Sequence, residues 1–235
     1  MRILAGTSGF SFPEWKGSFY PADLAAKDML RYYAARFPTV EINNTFYRLP
    51  KAEVLEGWIA EVPDDFSFVL KCSQFITHVK RLKEPATPLA VLFNATKALG
   101  PRLGASLFQL PPNMKKDVER LSGFLDALPK DKRVAIEFRH ESWFDDEVFG
   151  LLREAGVALC VADTGEEPVA PLVATADWGY LRLRREKFSD RELEAWVKKI
   201  GEQPWTDAYV FLKHEEEGIG PKLAARVNEL AGVNS

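Results

Sequence analysis

Short runs rich in Val, Ile, Leu and Phe alternate along this chain with segments whose apolar residues recur at every third or fourth position. That is the pattern of strand and helix units feeding a parallel sheet. Eight runs read as strands, over 3–7, 40–43, 66–71, 105–110, 134–139, 157–163, 179–184 and 209–213. Eight is the number that closes a parallel α/β barrel. Between the runs, Leu30, Tyr33 and Phe37 form one helical stripe, Val118, Leu121, Leu125 and Leu128 another, and Leu193, Trp196, Val197 and Ile200 a third. Ser189 and Glu192 stand at capping-box spacing before the third stripe. The stretch 164–176 carries two prolines and no stripe, so the connection between strands six and seven is predicted to be irregular. One barrel domain over residues 1–235 follows, a TIM-type (β/α) fold.

Successive side chains of a strand face opposite sides, which sorts each run into two sets. Val134, Ile136 and Phe138 would face the helices, leaving Ala135, Glu137 and Arg139 toward the barrel axis. The same sorting turns Val40, Ile42, Phe66, Phe68, Leu70, Leu181, Leu183, Val210 and Leu212 outward. The expected inward polar set is Glu41, Asn43, Lys71, Gln109, Glu137, Arg139, Asp163, Arg182 and Lys213, with Arg184 in the same phase as Arg182. These residues come late in their strands, on the rim where barrel enzymes build their sites. Buried charges are costly unless they pair or meet a ligand, so either a functional pocket or a satisfied internal ion-pair network is implied.

Composition narrows the class further. Hydrophobic residues make up 46% and charged residues 28% of the 235, enough apolar material for a core without staples. Cys72 and Cys160 lie in apolar runs with neither zinc nor redox spacing and read as buried small hydrophobes, a usage that suits a reducing cytoplasm. Residues 1–5 run straight into a Gly-Thr-Ser-Gly turn, so no secretory leader is expected, and no stretch is long enough to span a bilayer. A formal net charge of −3 argues against broad capture of nucleic acid, although a local basic pocket survives that average. The acidic run Glu215-Glu216-Glu217 and the neighbouring His214 read as solvated.

Several strings are distinctive. They are Gly6-Thr7-Ser8-Gly9-Phe10-Ser11-Phe12-Pro13-Glu14-Trp15, then Glu41-Ile42-Asn43-Asn44-Thr45-Phe46-Tyr47, Ile76-Thr77-His78, Phe108-Gln109-Leu110-Pro111-Pro112 and Glu137-Phe138-Arg139-His140-Glu141-Ser142-Trp143. Together they resemble the DUF72 (YecE-like) family of bacterial and archaeal proteins over nearly the whole chain. The resemblance implies a TIM-barrel-like fold and carries no reaction with it. Its motif positions here are Ser8, Trp15, Glu41, Asn43, Phe46, Tyr47, His78, Gln109, Glu137, Arg139, His140 and Trp143. This chain departs from the family pattern after strand seven, at Arg184-Arg185, and after strand eight, from Lys213 to Gly218.

Glu41 and Glu137 are the leading acid/base candidates, because carboxylates beside Lys71 and Arg139 can have their proton affinities pushed apart. Lys71 suits a proton donor, an anion contact or, if desolvated, a Schiff-base nucleophile, with charge contact favoured. His78 and His140, on loops of the same rim, are candidates for moving protons near neutral pH. Arg139 and Arg182 offer planar forks for carboxylate or phosphate and Lys213 a point charge, so a small anionic ligand is expected. Phe10, Trp15, Phe46, Tyr47 and Trp143 would ring the mouth as a stacking surface, or form small cores of the loops themselves. No cofactor is expected, though Glu41, Glu137 and Asp163 form a weak oxygen set for magnesium or manganese. The favoured function is acid/base catalysis on a small anionic compound, phosphorylated compounds included. Two alternatives stand beside it: a nucleic-acid phosphodiesterase or binder, prompted by Arg182, Arg184, Arg185 and Lys187, and a non-catalytic ligand-binding barrel.

Overall fold

A computed structural model describes residues 1–166, 168–213 and 218–232. His214 and the run Glu215-Glu216-Glu217 lie outside the described residues. Eight parallel strands close in sequence order into a barrel. They are β1 (Arg2–Ser8), β2 (Thr39–Ile42), β3 (Ser67–Lys71), β4 (Leu103–Gln109), β5 (Val134–Glu137), β6 (Ala158–Asp163), β7 (Trp178–Leu183) and β8 (Asp207–Leu212). The outer coat comprises α1 (Met29–Ala34), α2 (Ala52–Ala60), α3 (Ala86–Thr96), α4 (Val118–Asp126), α5 (Asp146–Ala155), α6 (Asp190–Gly201) and α7 (Ile219–Leu230). Each predicted strand coincides with an observed one, and the capping box at Ser189 and Glu192 is formed. Among the described residues no helix joins β6 to β7, as the two prolines and the missing stripe imply.

Strand alternation divides the core into two environments. Toward the helices, one apolar cluster gathers Val40, Ile42, Phe68, Leu70, Leu181 and Val210, and a second gathers Phe108, Val134, Ile136, Phe138 and Leu159. Along the axis lie Val69, Ala105, Leu107, Ala135, Ala158, Cys160, Trp178, Tyr180, Tyr209 and Phe211. The alanines of β4, β5 and β6 leave the volume that the aromatic rings of β7 and β8 fill, so the barrel is packed through its middle. At the N-terminal end Asp207 is clamped by Arg2 (3.1 Å) and Arg133 (2.9 Å), which leaves the opposite end for chemistry.

One hydroxyl fixes the strand pair that carries the first site residues. Tyr33 on α1 donates to the Thr39 carbonyl (3.0 Å) and accepts from the Thr7 amide (2.8 Å), tying the end of β1 to the start of β2. Gly6 permits this close approach, because a Cβ there would lie 2.1 Å from the Thr39 carbonyl oxygen. Ser8 and Glu41 are thereby held in register as direct neighbours.

Candidate active site

Toward the C-terminal ends of the strands the barrel lining turns from apolar to charged. Arg182 on β7 reaches across the axis and donates from one terminal nitrogen to Glu137 (2.7 Å) and from the other to Glu41 (2.9 Å). All three are almost wholly inaccessible, at 2%, 3% and 0% exposure respectively. Both oxygens of each carboxylate are engaged. Glu41 also accepts from the Ser8 hydroxyl (2.7 Å) and the Tyr180 hydroxyl (2.6 Å), and Glu137 from the Gln109 amide (2.7 Å). Arg184 approaches the Ser8 hydroxyl at 3.4 Å. Five strands thus meet in one network, and its low-dielectric setting makes each charge-assisted bond strong.

Burial alone would push the Glu41 carboxyl up. The Arg182 guanidinium, the Tyr180 hydroxyl, Arg184 and Ser8 outweigh it and hold that carboxyl down at about 2. Glu41 is therefore a fixed anion around neutral pH, bonded to Arg182, Tyr180 and Ser8 and so placed to hold β1, β2 and β7 together.

Lys71, at the end of β3, stands differently. Its amine makes no hydrogen bond or ion pair with any described residue, and its ammonium group lies 4.3 Å from the centre of the Phe46 ring. Burial first, then the Arg182 guanidinium, drive its proton affinity down, against the opposing pull of Glu137 and Glu41, to about 8. Phe46 also packs edge-on against His78, with ring centres 5.0 Å apart. Burial, followed by Lys71, Arg139 and Arg81, lowers the His78 proton affinity and favours its neutral form. His78 Nδ1 and the Thr77 hydroxyl share a hydrogen bond of 2.8 Å.

The loop that presents His78 is strained. A π turn over Phe75–Val79 is followed by Arg81, Leu82 and Glu84, all in the left-handed region with φ of 50°, 65° and 46°. Each such residue costs on the order of 1–2 kcal/mol unless its surroundings hold it. Burial of Leu82 in the outer core and its amide bond to the Ile76 carbonyl do the holding.

Two clefts open beside the network. One, of about 240 Å³, is lined by Glu137, Arg139, Pro112, Thr164 and Glu166. Arg139 is exposed and makes no hydrogen bond or ion pair with any described residue. The other, of about 220 Å³, is lined by Ser8, Phe10, Phe12, Asn43 and Trp58. Asn43 Oδ1 is buried there without a donor among the described residues.

Several expected positions are corrected. Asp163 does not face the axis, because Cys160 on the same strand does and the two differ in phase. Its carboxylate instead accepts from Arg185 (2.6 Å) and from Trp196 Nε1 of α6 (3.3 Å). Glu41, Glu137 and Asp163 consequently cannot share an ion, and among the described residues no three His, Cys, Asp or Glu side chains converge as metal ligands. Trp15 is buried among Phe12, Phe19 and Tyr20, so it forms a core of its own loop and offers no face at the mouth. Trp143 is likewise buried, stacked on Phe138 and donating to the Met114 carbonyl. His140 Nδ1 accepts from the Ser142 amide (3.1 Å), which makes this ring a local cap for the turn before α5. Tyr47 remains exposed, at 72%, and edge-on to Phe46. Lys213 extends β8 at the rim, its amide bonded to the Leu183 carbonyl. Tyr180 was not expected among the site residues, although it shares the strand phase of Arg182 and could have been found by that rule.

Comparison with known proteins agrees with this architecture. A family model described as "Protein of unknown function DUF72" matches residues 4–235. The chain belongs to the DUF72 family. Among DUF72 relatives, the Escherichia coli K12 protein named UPF0759 protein YecE is 34% identical over 223 residues, spanning 83% of this chain and 82% of the relative. The Bacillus subtilis UPF0759 protein YunF is 28% identical over 216 residues, covering 85% and 76%. A crystal structure of a DUF72 family protein from Thermotoga maritima superposes with a TM-score of 0.86 at 29% identity, covering 99% of this chain and all of that one. No helix among the described residues is long and apolar enough to cross a membrane.

The isolated ammonium of Lys71 has a stability consequence. Because its proton affinity is lowered on folding, the charged amine destabilises the native state fully below about pH 8, and that penalty vanishes as pH rises toward the ordinary 10.5. Lys71→Met is expected to stabilise the protein at pH 7 by about 1–3 kcal/mol in urea unfolding, discounted for partial exposure. The gain should shrink between pH 8 and 10; a gain that grew over that range would contradict the assignment.

Proposed function

We propose that this barrel is an enzyme that moves protons on a small anionic substrate held at the C-terminal mouth. The observation that carries the reading is an imbalance of unspent charge. Every oxygen of Glu41 and Glu137 is already engaged, whereas the cations Lys71 and Arg139 have no hydrogen-bonded or ion-paired partner among the described residues. Arg139 lines a cleft of small-molecule size without a counter-ion among the described residues, a setting that favours a carboxylate or phosphate group.

In this reading Arg139 anchors the anionic group over the cleft it shares with Glu137. Lys71, with a proton affinity near 8, exchanges a proton with the reacting atom, and Glu137 takes part as the carboxylate nearest that cleft. Neutral His78 supplies a hydrogen bond or relays the proton. Asn43 and Ser8 present polar contacts in the neighbouring aromatic-lined cleft.

Calorimetric titration with inorganic phosphate tests the binding half of the reading. Affinity should fall at least about ten-fold in Arg139→Gln, the loss of one charge-assisted contact being worth about 1.5–3 kcal/mol, and should weaken with added salt. Turnover assays over small phosphorylated and carboxylated compounds test the other half. Glu137→Gln should lower kcat at least about 100-fold. Full activity in both Glu41→Gln and Glu137→Gln proteins would sink the acid/base assignment.

A further inference from the structure

We infer that Lys71 is a covalent catalyst, its amine capturing the carbonyl carbon of a small aldehyde or ketone that bears a carboxylate or phosphate; this rests on, and narrows, the anionic-substrate reading above. Three features of the fold support it. The amine has no hydrogen-bonding or ionic partner among the described residues, so its lone pair is not committed once the proton leaves. It ends β3 in the strand phase of Val69, which lines the barrel axis, with its ammonium 4.3 Å from the centre of the Phe46 ring and within electrostatic reach of Glu41, Glu137, Arg182 and Arg184. His78, packed edge-on against the same Phe46 ring, lies within electrostatic reach of both the Lys71 amine and the Arg139 guanidinium.

The charges around the amine set how readily it gives up its proton. Arg182 and Arg184 disfavour the ammonium, while Glu137 and Glu41 favour it but are themselves held by Arg182. Desolvation beside other cations is the setting that activates an amine as a nucleophile. With a proton affinity near 8, about a tenth of the amine is neutral at pH 7, against well under 0.1% for an ordinary lysine near 10.5.

The step balances without an oxidant or reductant. The amine lone pair forms a C–N bond to the carbonyl carbon as the carbonyl oxygen gains a proton. One amine proton is then lost, and the carbinolamine expels its hydroxyl, protonated to water, as the nitrogen pair forms C=N. Amine, carbonyl and one proton taken from solvent thus give a protonated imine and one water. The protonated imine withdraws electrons from the adjacent carbon, where Glu137 or His78 can exchange a proton.

The experiment is reductive trapping on the full chain. Wild-type protein is incubated at pH 7 with cyanoborohydride and, separately, glyoxylate, pyruvate or glycolaldehyde phosphate. Intact mass and peptide mapping follow. The expected result, with at least one probe, is labelling of Lys71 at least about ten-fold faster than the other lysines, suppressed by excess inorganic phosphate. Lys71→Arg, which has no nucleophilic amine, should lose the fast adduct. Labelling spread over surface lysines with Lys71 no faster, while phosphate binds normally, would overturn the covalent role and leave the anion site standing. Failure of both phosphate binding and trapping would overturn the two together. A Lys71→Arg protein labelled as fast as wild type would also reject the inference.

Discussion

Arg182→Leu should cost about 3–5 kcal/mol of folding free energy at pH 7.5 and reverse the pH dependence of stability. The size follows from leaving two buried carboxylates without their shared counter-ion. In the wild-type protein Glu41 is held at about 2, so its contribution is present above the ordinary carboxyl range near 4.5 and is lost as pH falls from there toward 2. Without Arg182, burial dominates and raises the carboxyl proton affinities in the folded state. The native state then binds more protons than the unfolded one, and stability rises as pH falls. Urea unfolding at pH 5 and 7.5 reads this directly. Wild type should be no more stable at the lower pH, whereas Arg182→Leu should recover part of its loss there. Equal losses at both values would mean that Glu41 and Glu137 do not depend on this guanidinium.

Trp143→Ala is expected to destabilise by a similar amount, about 3–5 kcal/mol, through a different cause. The ring is wholly buried, lies 4.6 Å from Phe138 at an interplanar angle of 11°, and donates its indole N–H to the Met114 carbonyl at 2.6 Å. Truncation opens a cavity and orphans a buried acceptor. Trp143→Phe keeps most of the volume and should lose about 1–3 kcal/mol for the missing hydrogen bond. Trp143 lines neither described cleft but supports Phe138, a wall of the Arg139 cleft, so phosphate affinity of the folded Trp143→Phe protein, which keeps most of that support, should stay within about two-fold of wild type. A ten-fold drop in Trp143→Phe at unchanged stability would return this ring to the ligand site.

The contrast between these two residues marks where local pattern suffices and where it does not. Glu41, Lys71, Glu137 and Arg182 were legible as inward residues because each follows strand neighbours with a clear apolar alternation, and burial of the apolar set leaves the other set only the axis. Asp163 was not legible. Its strand reads Ala158-Leu159-Cys160-Val161-Ala162, apolar at every position, so neither phase stands out. Trp15 and Trp143 sit in irregular loops, where no periodicity links a position to a direction.

What the amino-acid order determined by itself was the closed eight-stranded barrel, the irregular sixth connection and the rim on which polar side chains collect. These depend on short-range alternation and on the right-handed winding of successive strand–helix units. What only the tertiary structure decided was who pairs with whom. Arg182 meets Glu41 across 141 positions of sequence and Glu137 across 45, because barrel closure turns inward residues of β2, β5 and β7 toward one axis. The same closure consumes both carboxylates and leaves the Lys71 amine without a hydrogen-bonded or ion-paired partner among the described residues. Electrostatic pairing is a property of distances across the axis, and no pattern along the chain encodes those distances.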